Sequence, residues 1–157
     1  MNSLCCNCLI GLFALWLSPL CLAQVVTVRI INITNGHPLQ KQRVSLSLLY
    51  DKGEQRPAKY DEIISHETNI NGEADFELPE PPPRILFINI RMSSEHWRCT
   101  RTWAPNTQEV VQRGIVRLPG GKPQKTDVLI NAVPGVMVFP ARPFTFWERL
   151  LYPLLKG

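Results

Sequence analysis

Between Thr68 and Leu78 the chain reads Thr-Asn-Ile-Asn-Gly-Glu-Ala-Asp-Phe-Glu-Leu, and this stretch limits the fold more than any other. Asn71-Gly72 marks a tight turn, because both residues tolerate positive φ at low cost. Strict alternation follows. Ala74, Phe76 and Leu78 share one side, while Glu73, Asp75 and Glu77 share the other. A period of two over so short a run is a strand with one buried face and one wet face. Such a strand needs a second apolar layer, so the stretch predicts a two-sheet sandwich closed around Phe76.

The rest of the mature chain supplies the other strands. Val25 to Ile33 is rich in β-branched residues, and Asn35-Gly36-His37-Pro38-Leu39 turns it back. Arg43 to Tyr50 alternates, with Val44, Leu46, Leu48 and Tyr50 inward and Ser45 and Ser47 outward. Asp51 to Tyr60 is charged and broken by Gly53 and Pro57, which predicts an exposed loop; Glu62 to Thr68 is a shorter strand. Pairing must stop at Pro79-Glu80-Pro81-Pro82-Pro83, since proline has no N–H to donate, and an extended connector is expected there. Arg84 to Met92 resumes with Leu86, Ile88, Ile90 and Met92 on one face, and His96 to Trp103 is expected to pair back with Trp97, Cys99 and Trp103 on one side. Asn106, Glu109 and Gly114 are spaced as the cap, third position and end of a short helix near 107–113, with Val110 and Val111 buried. Ile115-Val116, Val128 to Val133 and Val136 to Phe139 complete the strands.

Met1 to Ala23 carries no charged side chain and holds an apolar run from Leu9 to Leu17, then Ser18-Pro19 and the small residue Ala23. This predicts a secretory signal peptide cleaved before Gln24, and so a secreted or periplasmic protein. The competing reading is an uncleaved membrane anchor; a third is lipid attachment at Cys21. The leader contains four of the five cysteines, so the mature chain keeps Cys99 alone and no internal disulfide can form. The segments are therefore a leader over 1–23, a sandwich over 24–139 and an apolar aromatic tail over 140–157.

The tail carries Phe144, Phe146, Trp147, Leu150, Leu151 and Leu154, too many large apolar groups for a solvated end. At helical spacing Trp147, Leu150, Leu151 and Leu154 share a side, with Pro153 weakening the helix about there. Three readings compete. The tail packs back on the sandwich, or lies in a membrane interface with Trp147, Arg149, Tyr152 and Lys156 at headgroup level, or docks on a partner protein.

The order of strands resembles a carboxypeptidase regulatory-like domain, the transthyretin-like β-sandwich found beside some metallocarboxypeptidases and alone in small secreted bacterial proteins. The likeness covers residues 25 to 92 and is carried by Val28 to Leu48, by Thr68-Asn69-Ile70-Asn71-Gly72-Glu73-Ala74-Asp75-Phe76 and by the Leu78-Pro79 exit. It implies an all-β, transthyretin-like or immunoglobulin-like two-sheet Greek-key sandwich. Fold does not give function, which must come from a site.

Catalytic constellations are sparse. His37, His66 and His96 are the only histidines, and none stands at the i, i+4 spacing of a zinc-binding helix. There is no Gly-x-Ser-x-Gly elbow, and Gly120-Gly121 is followed by Lys122-Pro123 rather than by a helix. The Tyr-Arg-Gly-Ser ending of the transthyretin-like hydroxyisourate hydrolases is missing. The expectation is a non-enzymatic exported module with no catalytic residue, metal or cofactor, binding an unidentified protein or sitting at the cell envelope. A glycan-binding alternative uses Trp97 and Trp103 as stacking platforms. A small hydrolase would need two histidines converging with a carboxylate, and a mixed metal site would need His66, His96 and Cys99 together. Lys and Arg are scattered without a dense cluster, so nucleic acid is not an expected partner.

Overall fold

The computed structural model describes residues 24–50, 63–93, 97–118 and 130–155, with side chains as far as Leu150. Among the described residues nine strands form two sheets that face each other across one core. The first sheet takes β4 (Glu73–Glu77), β1 (Val25–Asn32), β9 (Val136–Pro143) and β6 (Trp97–Arg98) in that order, with β8 (Ile115–Val116) also on β9. The second takes β3 (Ile64–Glu67), β2 (Arg43–Leu49), β5 (Ile85–Arg91) and β7 (Thr102–Trp103). Most neighbours are antiparallel. The exceptions are β1 with β9 and β8 with β9, which run parallel.

The alternation in the sequence places the core. Val26, Val28 and Ile30 of β1, Val44, Leu46 and Leu48 of β2, Ala74 and Phe76 of β4, and Leu86, Ile88 and Ile90 of β5 all point between the sheets. Phe76 is among the largest fully buried side chains. Truncating such a ring to Ala costs about 3–5 kcal/mol.

The turn before β4 acts differently from a hairpin. β3 pairs with β2 and β4 with β1, so Thr68 to Gly72 carries the chain from one sheet to the other. Asn69 makes the bend: its Oδ1 accepts the N–H groups of Asn71 and Glu73, and its carbonyl accepts that of Gly72. Of the Asn71-Gly72 pair only Gly72 takes a positive φ, 71°. A Cβ there would lie 2.5 Å from the Ile30 carbonyl oxygen, so the arch packs on β1 too closely for any side chain.

The short helix forms as its caps predict. α1 (Thr107–Arg113) starts at Asn106, whose side chain accepts from the N–H groups of Gln108 and Glu109, and ends at Gly114 with φ 65°. Val110 is buried and Val111 half-buried.

Several expectations change. His96 to Trp103 is not one strand: β6 pairs with β9 in the first sheet, β7 with β5 in the second, and Cys99–Arg101 turns the corner. Residues 130–133 form no strand, because Val133 is held against Gly114 rather than in a ladder, while Val128 and Leu129 lie outside the described residues. β9 runs to Pro143, beyond the 24–139 boundary, since β6 pairs with its far end. The connector over 79–83 bends at Glu80 and Pro81, and the Glu80–Pro81 peptide is cis. The Asp51 to Tyr60 loop lies outside the described residues.

Candidate functional site

The tail is a helix, α2 (Phe146–Leu155), which runs past Pro153 and stops two residues later. Its start is a reciprocal cap. The Thr145 hydroxyl accepts the Glu148 N–H at 3.3 Å, and the Glu148 carboxylate accepts the Thr145 N–H at 2.8 Å. The spacing Thr145-x-x-Glu148 was the available sequence signal for this helix start, and apolar periodicity alone did not reveal it.

Glu148 also fixes which way the helix faces. Its Oε1 lies 2.9 Å from Arg98 on β6 and 3.4 Å from Arg142 on β9. The Thr145 N–H and, after it, the two guanidinium groups hold the Glu148 carboxyl below its ordinary value, against a desolvation effect that pushes the other way. So the Glu148 side of α2 faces the sandwich. The other side does not. Phe146 is 72% exposed, Trp147 67% and Leu150 56%. Counting 100° per residue, Phe146 and Leu150 lie roughly opposite Glu148. Phe146 and Trp147 meet edge to face, 5.5 Å between ring centres. Phe144, before the helix, is half-buried. Leu151 and Leu154 belong to α2, but their side chains lie outside the described residues.

This orientation is the reverse of a helix that packs its apolar stripe on a core. The simplest expectation, a tail folded back to cover an apolar edge, is not what Phe146, Trp147 and Leu150 do. Among the described residues no helix is long and apolar enough to cross a membrane.

The two tryptophans proposed as platforms sit apart, one on each sheet. Trp103 opposes the inward-facing Ile88 across β5 and β7 and therefore points between the sheets. Its ring meets Phe139 edge to face at 5.9 Å and carries the Arg117 guanidinium 5.3 Å from its centre. Trp97 opposes Pro143, on the same side of β9 as Phe139 and Ala141. Both rings are half-buried against the core.

The histidines are scattered. His37 is in the exposed turn after β1, and His96 lies outside the described residues. His66 stacks on Phe76 with ring centres 4.8 Å apart and bonds through Nδ1 to the Asp75 carbonyl at 2.7 Å. That bond ties the edge strand of one sheet to the edge strand of the other. Cys99 is in the corner at the opposite edge, roughly three strand spacings or about 14 Å away. His66 and Cys99 therefore do not meet, and among the described residues no three His, Cys, Asp or Glu form a metal-binding group. Burial pushes the Cys99 thiol up to about 12, with Arg101 pulling weakly the other way. A thiol so protonated is a poor nucleophile.

Two surface clefts are formed among the described residues. One, of about 600 Å³, is lined by Arg29, Ile31, Pro38, Asn71, Glu73 and Val138, but Arg29 and Glu73 are bonded to each other, so their charges are already matched. The other, of about 520 Å³, is lined by Gln24, Arg84, Thr107, Gln108 and Val111. Neither is lined by a histidine or a cysteine. Comparison with protein-family models, with curated proteins and with solved structures finds no match.

Proposed function

We propose that this chain is a non-enzymatic, exported β-sandwich module, akin to the carboxypeptidase regulatory-like domains, that attaches at the cell envelope through the outward face of α2. One observation carries the reading: Phe146, Trp147 and Leu150 stand in solvent while Glu148, on the same helix, is bonded to Arg98 and Arg142. Exposed aromatic and aliphatic side chains held in a fixed orientation mark a contact surface. A helix that fluctuated freely would present no such face, and the cap together with the two arginines resists that. The non-catalytic part of the reading is supported by His66, whose ring is taken up by Phe76 and the Asp75 carbonyl, and by the protonated state of Cys99.

Fractionation tests it. The full chain is expected in the membrane fraction after a low-salt wash, and a chain ending at Pro143 is expected to wash off. Equal release of both would remove α2 from the attachment.

A further inference from the structure

We infer that the surface covering the outward face of α2 is a bilayer rich in anionic phospholipid, an inference that rests on the contact reading above and names its partner. Three observations converge on lipid. The first is composition: the exposed residues are Phe146, Trp147 and Leu150, and aromatic and aliphatic groups on one side of a helix are what an interfacial helix buries at the headgroup boundary. The second is orientation. Glu148 faces the body and Phe146 and Leu150 face away, so the helix can lie flat on a surface without the sandwich intervening.

The third is charge. From residue 97 to the end there are nine Lys and Arg against three Asp and Glu; from 24 to 96 there are eight against ten. The stretch of sequence that ends in α2 is therefore +6, and the stretch before it is −2. Around the helix itself, Arg98 and Arg142 share the Glu148 carboxylate, two positive charges against one negative, and Arg149 stands exposed. Arg149, next to Leu150 in the chain, is an exposed basic group that a negative lipid surface would attract, and one such group adds roughly fivefold to binding. A second copy of this chain would bring another Arg149 to the contact rather than a negative charge to meet it.

Cosedimentation of the full chain with vesicles tests this, using phosphatidylcholine alone and phosphatidylcholine with about 30% phosphatidylglycerol, which gives the surface a negative potential. The triple variant Phe146→Ser, Trp147→Ser, Leu150→Ser changes exposed residues, and its melting curve checks that the sandwich persists. The leader is the same in both proteins, so the ratio of their affinities reports α2. The expected ratio on the anionic vesicles is about tenfold or more. Arg149→Glu is expected to weaken binding to them about fivefold or more, and to leave binding to phosphatidylcholine unchanged. Equal affinity of the wild type and triple variant overturns the proposal. So does a solution dimer that the triple variant dissolves. Membrane retention in cells that depends on α2, without vesicle binding, also overturns it while leaving the contact reading intact.

Discussion

Arg98 on β6 and Glu148 on α2 approach to 2.9 Å, and this pair ties the last helix of the chain to the edge of the larger sheet. The pair is only partly shielded, so it is worth about 0–1 kcal/mol. Its consequence is local: it sets which side of α2 meets solvent.

The sign of its pH dependence follows from Glu148. The Thr145 N–H and the nearby arginines lower its carboxyl from the ordinary 4.5, so the folded state favours the ionised form. The contribution is present above the ordinary value and is lost as pH falls through the lowered one. Protection of the first-turn amides of α2, referred to the intrinsic exchange rate at each pH, is expected to fall on acidification below 4.5. Glu148→Gln is expected to show the lower protection already at neutral pH, with little further change in acid. Identical exchange in the two proteins at pH 7 would mean the pair does not hold the helix.

Gly72 makes a different kind of contact. Its φ of 71° and the 2.5 Å approach of a Cβ to the Ile30 carbonyl oxygen act together in Gly72→Ala. The expected loss is roughly 2–4 kcal/mol, read as a lower urea midpoint at unchanged slope. Asn71→Ala, one residue earlier in an exposed position, is expected to stay within about 0.5 kcal/mol. Equal losses at the two positions would place the constraint in the turn as a whole rather than in the contact of Gly72 with β1.

That contrast also shows how far residue patterns reach. Alternation at Val44–Leu48, Ala74–Leu78 and Leu86–Ile90 located the core because burial on one face of a strand is a local property of the chain. The helix at Thr107–Arg113 was legible for the same reason, its cap and its terminal glycine lying within eight residues. What was not legible depends on distant partners. Nothing local says that β3 and β4 belong to different sheets, or that Trp97 and Trp103, six residues apart, pair with β9 and β5 respectively. The site divides in the same way. The apolar content of the tail is local, but the outward turn of Phe146 and Leu150 is set by Arg98, fifty residues before Glu148.

Thr68 anchors the other end of the arch. Its buried hydroxyl accepts the Gln42 N–H at 3.0 Å and donates to the Leu39 carbonyl at 2.7 Å. Thr68→Val keeps the shape and removes both bonds, leaving buried polar groups without this partner, so about 1–3 kcal/mol of stability is expected to go. Thr68→Ser restores the hydroxyl and is expected to recover most of it. Protection of the Gln42 amide against exchange should fall in the valine variant alone. A serine variant as unstable as the valine one would assign the effect to the methyl group.

Cys99 links the strand-switching corner to alkaline stability. Burial raises its thiol from 9.0 to about 12, and Arg101 offsets only part of this. Below 9.0 the thiol is protonated whether the chain is folded or not, so its contribution is complete there. Between 9.0 and about 12 the unfolded chain ionises and the folded one does not, and stability is lost progressively as pH rises. Native protein at pH 9 should therefore hold several hundredfold less thiolate than the urea-unfolded chain, about a factor of ten per unit of the difference. Iodoacetamide alkylation followed by mass measures it directly. Cys99→Ala is expected to remove this alkaline slope from the stability curve, and Arg101→Ala to slow alkylation of the native thiol further. Comparable alkylation rates for native and unfolded chains at pH 9 would show that the corner between β6 and β7 opens readily, and that the thiol is not held out of water by the sandwich.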